Sequence, residues 1–251
     1  MEHYATAQQV FVGGLVFARV ASMVMTMPGL GDQPAPVTAR AAFAFLLALV
    51  IAPVVAPTLP PIPPDIGGMI GNVLREILVG LMLGAILRFF LAALAVAGEV
   101  ISIETTLSFA QTTNPTEVQS SSTLASFLSL LGVVLIMTTD LHHLFLAAIA
   151  RSYTLFPYGR PLPLQDGAQM AIHTVAATFA LGIQLAAPLM VFSLVFNLAT
   201  GLVGRAMPQF QIFFAAAPLN ILLGLSLFAL SLGVMGMVWV DRYRDVLAPF
   251  T

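Results

Sequence analysis

The sequence contains no cysteine and no lysine among its 251 residues. Without cysteine the chain cannot form disulfides, thiolate metal sites or cysteine nucleophiles. All nine basic residues are arginine, which keeps its charge when partly desolvated and presents a planar fork of donors that suits buried pairs. A net charge of −2 gives no reason to expect a nucleic-acid partner.

Charge of either sign is scarce as well. Charged residues make up 8% of the chain, whereas hydrophobic residues make up 59%. Soluble domains carry about 25% charged residues, so this chain has too few to cover a globular surface. The mean hydropathy of +0.98 agrees with that comparison. The composition therefore predicts a polytopic membrane protein.

Six apolar stretches are long enough to cross a bilayer, which takes roughly 20 apolar residues. Backbone groups in lipid must satisfy their own hydrogen bonds, and the stretches show no strand-like alternation, so each is predicted to be helical. We expect an all-α fold of kinked helices and helical hairpins in one membrane domain over residues 1–251. The stretches cover about residues 8–27, 41–59, 69–97, 124–150, 168–204 and 210–240.

One of these stretches is too long for a single straight crossing. Residues 168–204 would form a helix of over about 50 Å at 1.5 Å per residue, well beyond the hydrocarbon thickness of a bilayer. Pro188 lies in the middle of the stretch and removes a backbone donor. We therefore expect a kink or a hairpin there.

Small and charged residues inside the apolar stretches are candidates for packing sites. Gly80 and Gly84 form a small-xxx-small pattern, which lets helices approach closely within this chain or between subunits. Arg88 and Glu99 share a helix face but lie too far apart to touch, so we expect a partner subunit or a polar cavity to satisfy them. The charges that need a protein or water partner are Arg19, Arg75, Glu76, Arg88, Glu99, Glu104 and Asp140.

Motifs for catalysis are missing from the sequence. Asp140, His142 and His143 come nearest to a metal-binding pattern, but adjacent helical histidines point about 100° apart and should not chelate one ion together. A hydrogen bond from His143 to Asp140 is the simpler expectation. Nucleotide-binding, zinc-protease and nucleophile-elbow patterns do not occur. We predict no enzymatic activity and no cofactor.

A polar stretch, SFAQTTNPTEVQSSST, interrupts the apolar sequence at residues 108–123. Asn114-Pro115 and the Ser/Thr run favour turns and loops. An irregular segment at membrane depth must lie in water or line a protein cavity, because lipid cannot satisfy its backbone. An ordinary aqueous loop and a loop inside a cavity fit these residues equally well.

Five stretches, in order, resemble the FliR family. In the C-terminal stretch, GLVGRAMPQFQIFFAAAPLNILLGLSL, an apolar helix ends at Arg205, the pair Pro208-Gln209 follows, and a second apolar helix begins. Proline ends the first helix so that the chain can reverse. The sequence departs from the family at Thr106, where many members have glycine, and at Asn114, where many have aspartate. The five stretches are residues 27–53, 97–122, 142–159, 186–202 and 201–227.

The resemblance implies an inner-membrane subunit of the flagellar type III export apparatus, in the flagellar basal body. It implies assembly with FliP and FliQ into a protein-conducting gate for unfolded substrates, in contact with membrane lipid and beside FlhB and FlhA. An injectisome gate subunit is one alternative. A small-molecule secondary transporter is another, since broken helices and intramembrane charges occur there too. Together with the charges and glycines noted above, the residues predicted to take part in subunit packing or buried polar contacts are Arg75, Glu76, Gly80, Gly84, Arg88, Glu99, Arg205, Pro208 and Gln209.

The resemblance further implies that the central loop, about residues 106–123, plugs the export channel. Its hydroxyl and amide groups exchange hydrogen bonds easily with water or neighbours, so the loop can leave the channel without stranding buried groups. Closure would be steric, with no catalysis by this chain. The residues implied in gating are Leu107, Phe109, Gln111, Asn114, Pro115 and Glu117.

Overall fold

The computed structural model describes residues 6–29, 36–108, 122–157, 164–207, 209 and 212–247. These residues are helical almost throughout and include no strand, which confirms the all-α prediction. A short 3-10 turn, Ala56–Thr58, follows the second helix. The α-helices are α1 (Ala7–Thr26), α2 (Val37–Val55), α3 (Ile66–Glu104), α4 (Thr123–Thr138), α5 (Leu141–Leu155), α6 (Leu164–Ala206) and α7 (Ile212–Leu247).

Five helices in the described part of the chain are long and apolar enough to cross a membrane individually. They are α1, α2, α3, α6 and α7. The pair α4 and α5 forms a sixth candidate span if its two bent halves count as one. This number of spans confirms the predicted polytopic membrane protein.

The predicted segment 124–150 is divided by a break after Thr138. The Thr139 hydroxyl donates a 2.7 Å hydrogen bond to the carbonyl of Leu135, which ends α4 with a local side-chain contact. Asp140 then adopts a left-handed backbone conformation with φ of 59°. Aspartate tolerates this conformation better than bulky residues do. The bend in this span therefore comes from polar residues rather than from a proline.

Three prolines lie inside described helices, and each of these helices continues through its proline. The 43-residue helix α6 continues through Pro188, where a kink or a hairpin was expected, and no hairpin forms there. Pro53 and Pro218 likewise lie inside α2 and α7. Proline removes one backbone hydrogen bond, and the bonds of the neighbouring turns keep the helix continuous. At 1.5 Å per residue, α6 is about 65 Å long, more than twice the thickness of a bilayer core.

The chain divides into two compact units. The first consists of Met1–Phe90, Asp140–Val175 and Asp245–Thr251, and the second of Leu91–Thr139 and Ala176–Arg244. The division falls inside the long helices α3 and α6.

In the first unit, α3 packs closely against α1 through two glycines. A Cβ on Gly80 would overlap the backbone carbonyl of Arg19, and one on Gly84 would overlap the side chain of Thr26. The small-xxx-small pattern thus brings two helices of the same chain together. The fully buried side chains of α1 around these contacts are Leu15, Val16, Val20 and Met23.

In the second unit, glycines again mark the closest helix contacts. A Cβ on Gly98 of α3 would overlap the backbone of Ala125 in α4. Gly132 leaves room for the side chains of Leu91 and Leu94. The aromatic rings of Trp239 and Tyr243 pack 4.9 Å apart, and both side chains are almost fully buried.

Large apolar side chains remain exposed along α2, α6 and α7. Val54 is 72% exposed, Leu202 69% and Leu230 81%. An apolar surface of this extent suits lipid or a protein partner rather than water.

Candidate functional site

The ends of the polar loop meet the helices at five buried or partly buried residues, which we call the loop base. It consists of Glu99, Glu104, Thr105, Ser122 and Asn220, all within the second unit. Leu107 is partly buried. The other predicted gating residues, which lie outside the described part of the chain, are Phe109, Gln111, Asn114, Pro115 and Glu117.

The returning end of the loop is fixed by Ser122. Its hydroxyl accepts a 3.2 Å hydrogen bond from the backbone N–H of Ala125 and so caps α4. Its own backbone N–H donates a 2.7 Å hydrogen bond to the carboxylate of Glu99 in α3. Glu99 thus has a partner within the chain, where a partner subunit or a polar cavity was expected. The missing side chain at Gly98 lets α4 come this close.

The outgoing end of the loop is fixed by Asn220 of α7. This side chain is 2% exposed, and its Nδ2 donates a 3.0 Å hydrogen bond to the backbone carbonyl of Glu104. That carbonyl belongs to the last turn of α3, where carbonyls have no partner within the helix. One turn along α7, Gly224 faces the side chain of Thr105, with no Cβ to hold it away.

The backbone at Thr106 has a conformation that favours glycine, although this chain has threonine there. Thr106 adopts a left-handed conformation with φ of 58°, and its N–H donates a 3.1 Å hydrogen bond to the carbonyl of Ile103. A residue just after a helix commonly adopts this conformation, and glycine does so without steric cost. Glycine, which the resemblance leads us to expect here, therefore fits the observed backbone.

A second buried polar group, in the first unit, joins α1, α3 and α5. The guanidinium of Arg19 donates two hydrogen bonds to the carboxylate of Glu76, of 2.6 Å and 3.0 Å. It donates a third, of 3.1 Å, to the hydroxyl of Ser152 and lies 3.9 Å from the ring centre of Tyr153. Arg19 is 1% exposed and Glu76 is fully buried. Sequence reasoning noted both charges but missed their pairing, because no local pattern connects them.

The remaining predicted packing residues occupy different environments. Arg75 donates a 2.9 Å hydrogen bond to the backbone carbonyl of Pro157. Arg88, Arg205 and Gln209 have exposed side chains. Pro208 lies outside the described part of the chain.

Comparison with known proteins points to one family. Residues 10–246 match the bacterial export proteins, family 1. The chain is 60% identical to the flagellar biosynthetic protein FliR of Caulobacter vibrioides over 251 residues, all of both chains. It is 27% identical to the protein of the same name in Bacillus subtilis over 245 residues, 93% of each chain. With that of Escherichia coli it shares 33% identity over 144 residues, 57% of this chain and 55% of the relative.

The match spans nearly the whole chain, including the loop base and the buried ion pair, and the helices suit a membrane. The chain therefore belongs to the FliR family of bacterial export proteins and is a membrane protein of flagellar biosynthesis.

Proposed function

We propose that the chain is an inner-membrane subunit of the flagellar type III export gate and that its central loop helps to plug the closed channel. In this proposal it assembles with FliP and FliQ into a channel for unfolded flagellar proteins, with FlhB and FlhA alongside. Family membership supports this role, and the relatives named above are flagellar rather than injectisome proteins.

The plug proposal rests mainly on one observation: both ends of the loop are hydrogen-bonded to the helices at the loop base. Ser122 is bonded to Glu99, and the carbonyl of Glu104 is bonded to Asn220. Glu99 and Glu104 lie only about 7.5 Å apart along α3, at 1.5 Å per residue. The loop therefore leaves and re-enters the helices at nearly the same place. A loop with both ends fixed at one point suits a plug that projects into a channel.

The chemistry of the loop suits reversible closure. A gate that passes an unfolded chain but not ions needs a filled or dry constriction in its shut state. Side chains of serine, threonine, asparagine and glutamine can fill such a constriction and exchange their hydrogen bonds for water when displaced. The exposed apolar faces of α2, α6 and α7 supply surface for lipid and for sister subunits.

Deletion of residues 110–119 tests this function. We expect the shortened chain to co-purify with FliP and FliQ, because the loop base remains. We also expect it to make the membrane leaky to small ions, because the plug is lost. Conductance of vesicles containing the complex measures the leak. Vesicles containing the shortened chain without FliP are the control and should stay tight. A complex that assembles and conducts no more than the unaltered one would disprove the plug.

A further inference from the structure

Three side chains at the start of α5 have the composition of a transition-metal site. Asp140, His142 and His143 each offer one ligating atom, and these three atoms all lie within 4.8 Å of one another. The group belongs to the first unit, whereas the loop base belongs to the second.

The two histidines converge, contrary to the sequence-based expectation. Their ring centres lie 4.2 Å apart, and Nδ1 of His143 lies 3.6 Å from a carboxylate oxygen of Asp140. The expectation considered only the 100° step between successive helix positions and ignored side-chain rotation. Rotation about the side-chain torsions turns the neighbouring imidazole rings toward each other, so the 100° angle between the two helix positions does not keep the rings apart.

Asp140 stands at the N-cap of α5 but does not cap it. Aspartate at this position normally accepts a hydrogen bond from a backbone N–H of the first turn. Here the backbone of Asp140 is left-handed, with φ of 59°, and its side chain forms no capping hydrogen bond. The carboxylate is 76% exposed. Its oxygens therefore remain available to a ligand.

His142 provides a second, independent observation. Its Nδ1 atom is buried and has no hydrogen-bond partner among the described residues. A buried nitrogen without a partner is costly, and native structures rarely leave one so. A bound cation or a hydrogen-bonding partner is what such a nitrogen lacks.

We propose that Asp140, His142 and His143 bind one divalent transition-metal ion of the zinc class. Imidazole nitrogen with a carboxylate oxygen suits Zn²⁺, Co²⁺ or Ni²⁺, whereas Mg²⁺ and Ca²⁺ prefer all-oxygen ligands. Ligands of a tetrahedral zinc ion lie roughly 3.4 Å apart, so small rotations of the three side chains complete the geometry. Water would occupy the fourth position.

The test is a metal titration of the full chain, purified in detergent through an affinity tag that contains no histidine. After removal of metal with a chelator, Zn²⁺ is titrated in competition with a coloured chelator. We expect one more tightly bound Zn²⁺ per chain than in the double variant His142→Ala/His143→Ala. His173→Ala is the matched control, because His173 is an exposed histidine in α6, and it should bind as the unaltered chain does.

Milder variants keep the test valid if the double variant fails to fold. The side chains of His143 and Asp140 are 67% and 76% exposed, so His143→Gln and Asp140→Asn should preserve the fold. Each should weaken Zn²⁺ binding about tenfold or more, since loss of an outer-shell contact alone costs that much. Co²⁺ should give the strong visible absorption of a four-coordinate site. Equal Zn²⁺ binding in all variants, or none in the unaltered chain, would overturn the proposal.

Discussion

Arg19 and Glu76, 57 residues apart in the sequence, form a two-point ion pair in the interior of the first unit. Glu76, Gly80 and Gly84 follow one another at intervals of four along α3, and all three face α1. The charge and the glycines therefore belong to one helix interface. The glycines bring the helices close enough for the pair to form, and the pair satisfies the charges where water is excluded.

Replacing Arg19 by methionine should destabilise the chain strongly. The substitution leaves the carboxylate of Glu76 buried without its partner, and breaking one side of a buried pair costs about 3–5 kcal/mol. The double variant Arg19→Met/Glu76→Met should recover much of this loss, because an apolar pair of similar volume strands no charge. The melting temperature in detergent measures both effects.

Arg242→Met is the control for this pair, because Arg242 is exposed, and its melting temperature should stay near that of the unaltered chain. A double variant no more stable than Arg19→Met alone would show that the loss does not come from the unpaired carboxylate.

Gly80→Ala should separate α1 from α3. The added methyl group would overlap the carbonyl of Arg19, which is backbone and cannot rotate away. Overpacking of this kind costs about 1–3 kcal/mol. The matched control is Gly201→Ala in α6, where a Cβ meets nothing within 4 Å and alanine is the better helix former. Thermal unfolding in detergent compares the two, and equal melting temperatures would contradict the close contact.

Asn220→Ala tests whether the loop must be anchored at the loop base in order to seal the channel. The variant loses the hydrogen bond to the carbonyl of Glu104, with a net cost of about 0.5–1.5 kcal/mol. We expect the complex to assemble and to conduct ions at a level between those of the unaltered gate and the gate with residues 110–119 deleted. Asn197→Ala is the control, since the side chain of this α6 asparagine donates a hydrogen bond to Ser193 of the same helix and lies outside the loop base.

The outcomes for Asn220→Ala and for the deletion are separable. If the deletion raises the ion conductance and Asn220→Ala does not, anchoring by Asn220 is unnecessary for sealing. The plug proposal itself would then still hold.

Two substitutions of Glu99 distinguish a role in anchoring the loop from a role in proton transfer. Glu99→Gln retains an oxygen that can accept from the N–H of Ser122, whereas Glu99→Ala has none. A hydrogen bond to a charged group contributes about 1.5–3 kcal/mol, so the alanine variant should loosen the start of α4 and reduce export. The glutamine variant should export nearly as well as the unaltered chain. Secretion of flagellar proteins into the medium is the readout, and equal defects in both variants would favour proton transfer.

Sequence reasoning recovered the fold class and most helix bounds but few of the contacts. Apolar length and the scarcity of charge predicted each of the membrane spans found in the described part of the chain. The break after Thr138 was missed because its signal is polar, and proline was expected to mark the bends. In the candidate site, the polar loop was recognised from its composition. Asn220 was missed, because its contact with Glu104 spans 116 residues and no local pattern indicates it.

The sequence by itself determined that this chain is helical and belongs in a membrane, since lipid leaves the backbone no other way to satisfy its hydrogen bonds. It also determined the glycine spacing that permits close packing. Only the tertiary structure decided that Arg19 pairs with Glu76, that Glu99 holds the N–H of Ser122, and that two adjacent histidines converge. Those contacts depend on side-chain torsions and on helices meeting across long separations in sequence, which a one-dimensional pattern does not encode.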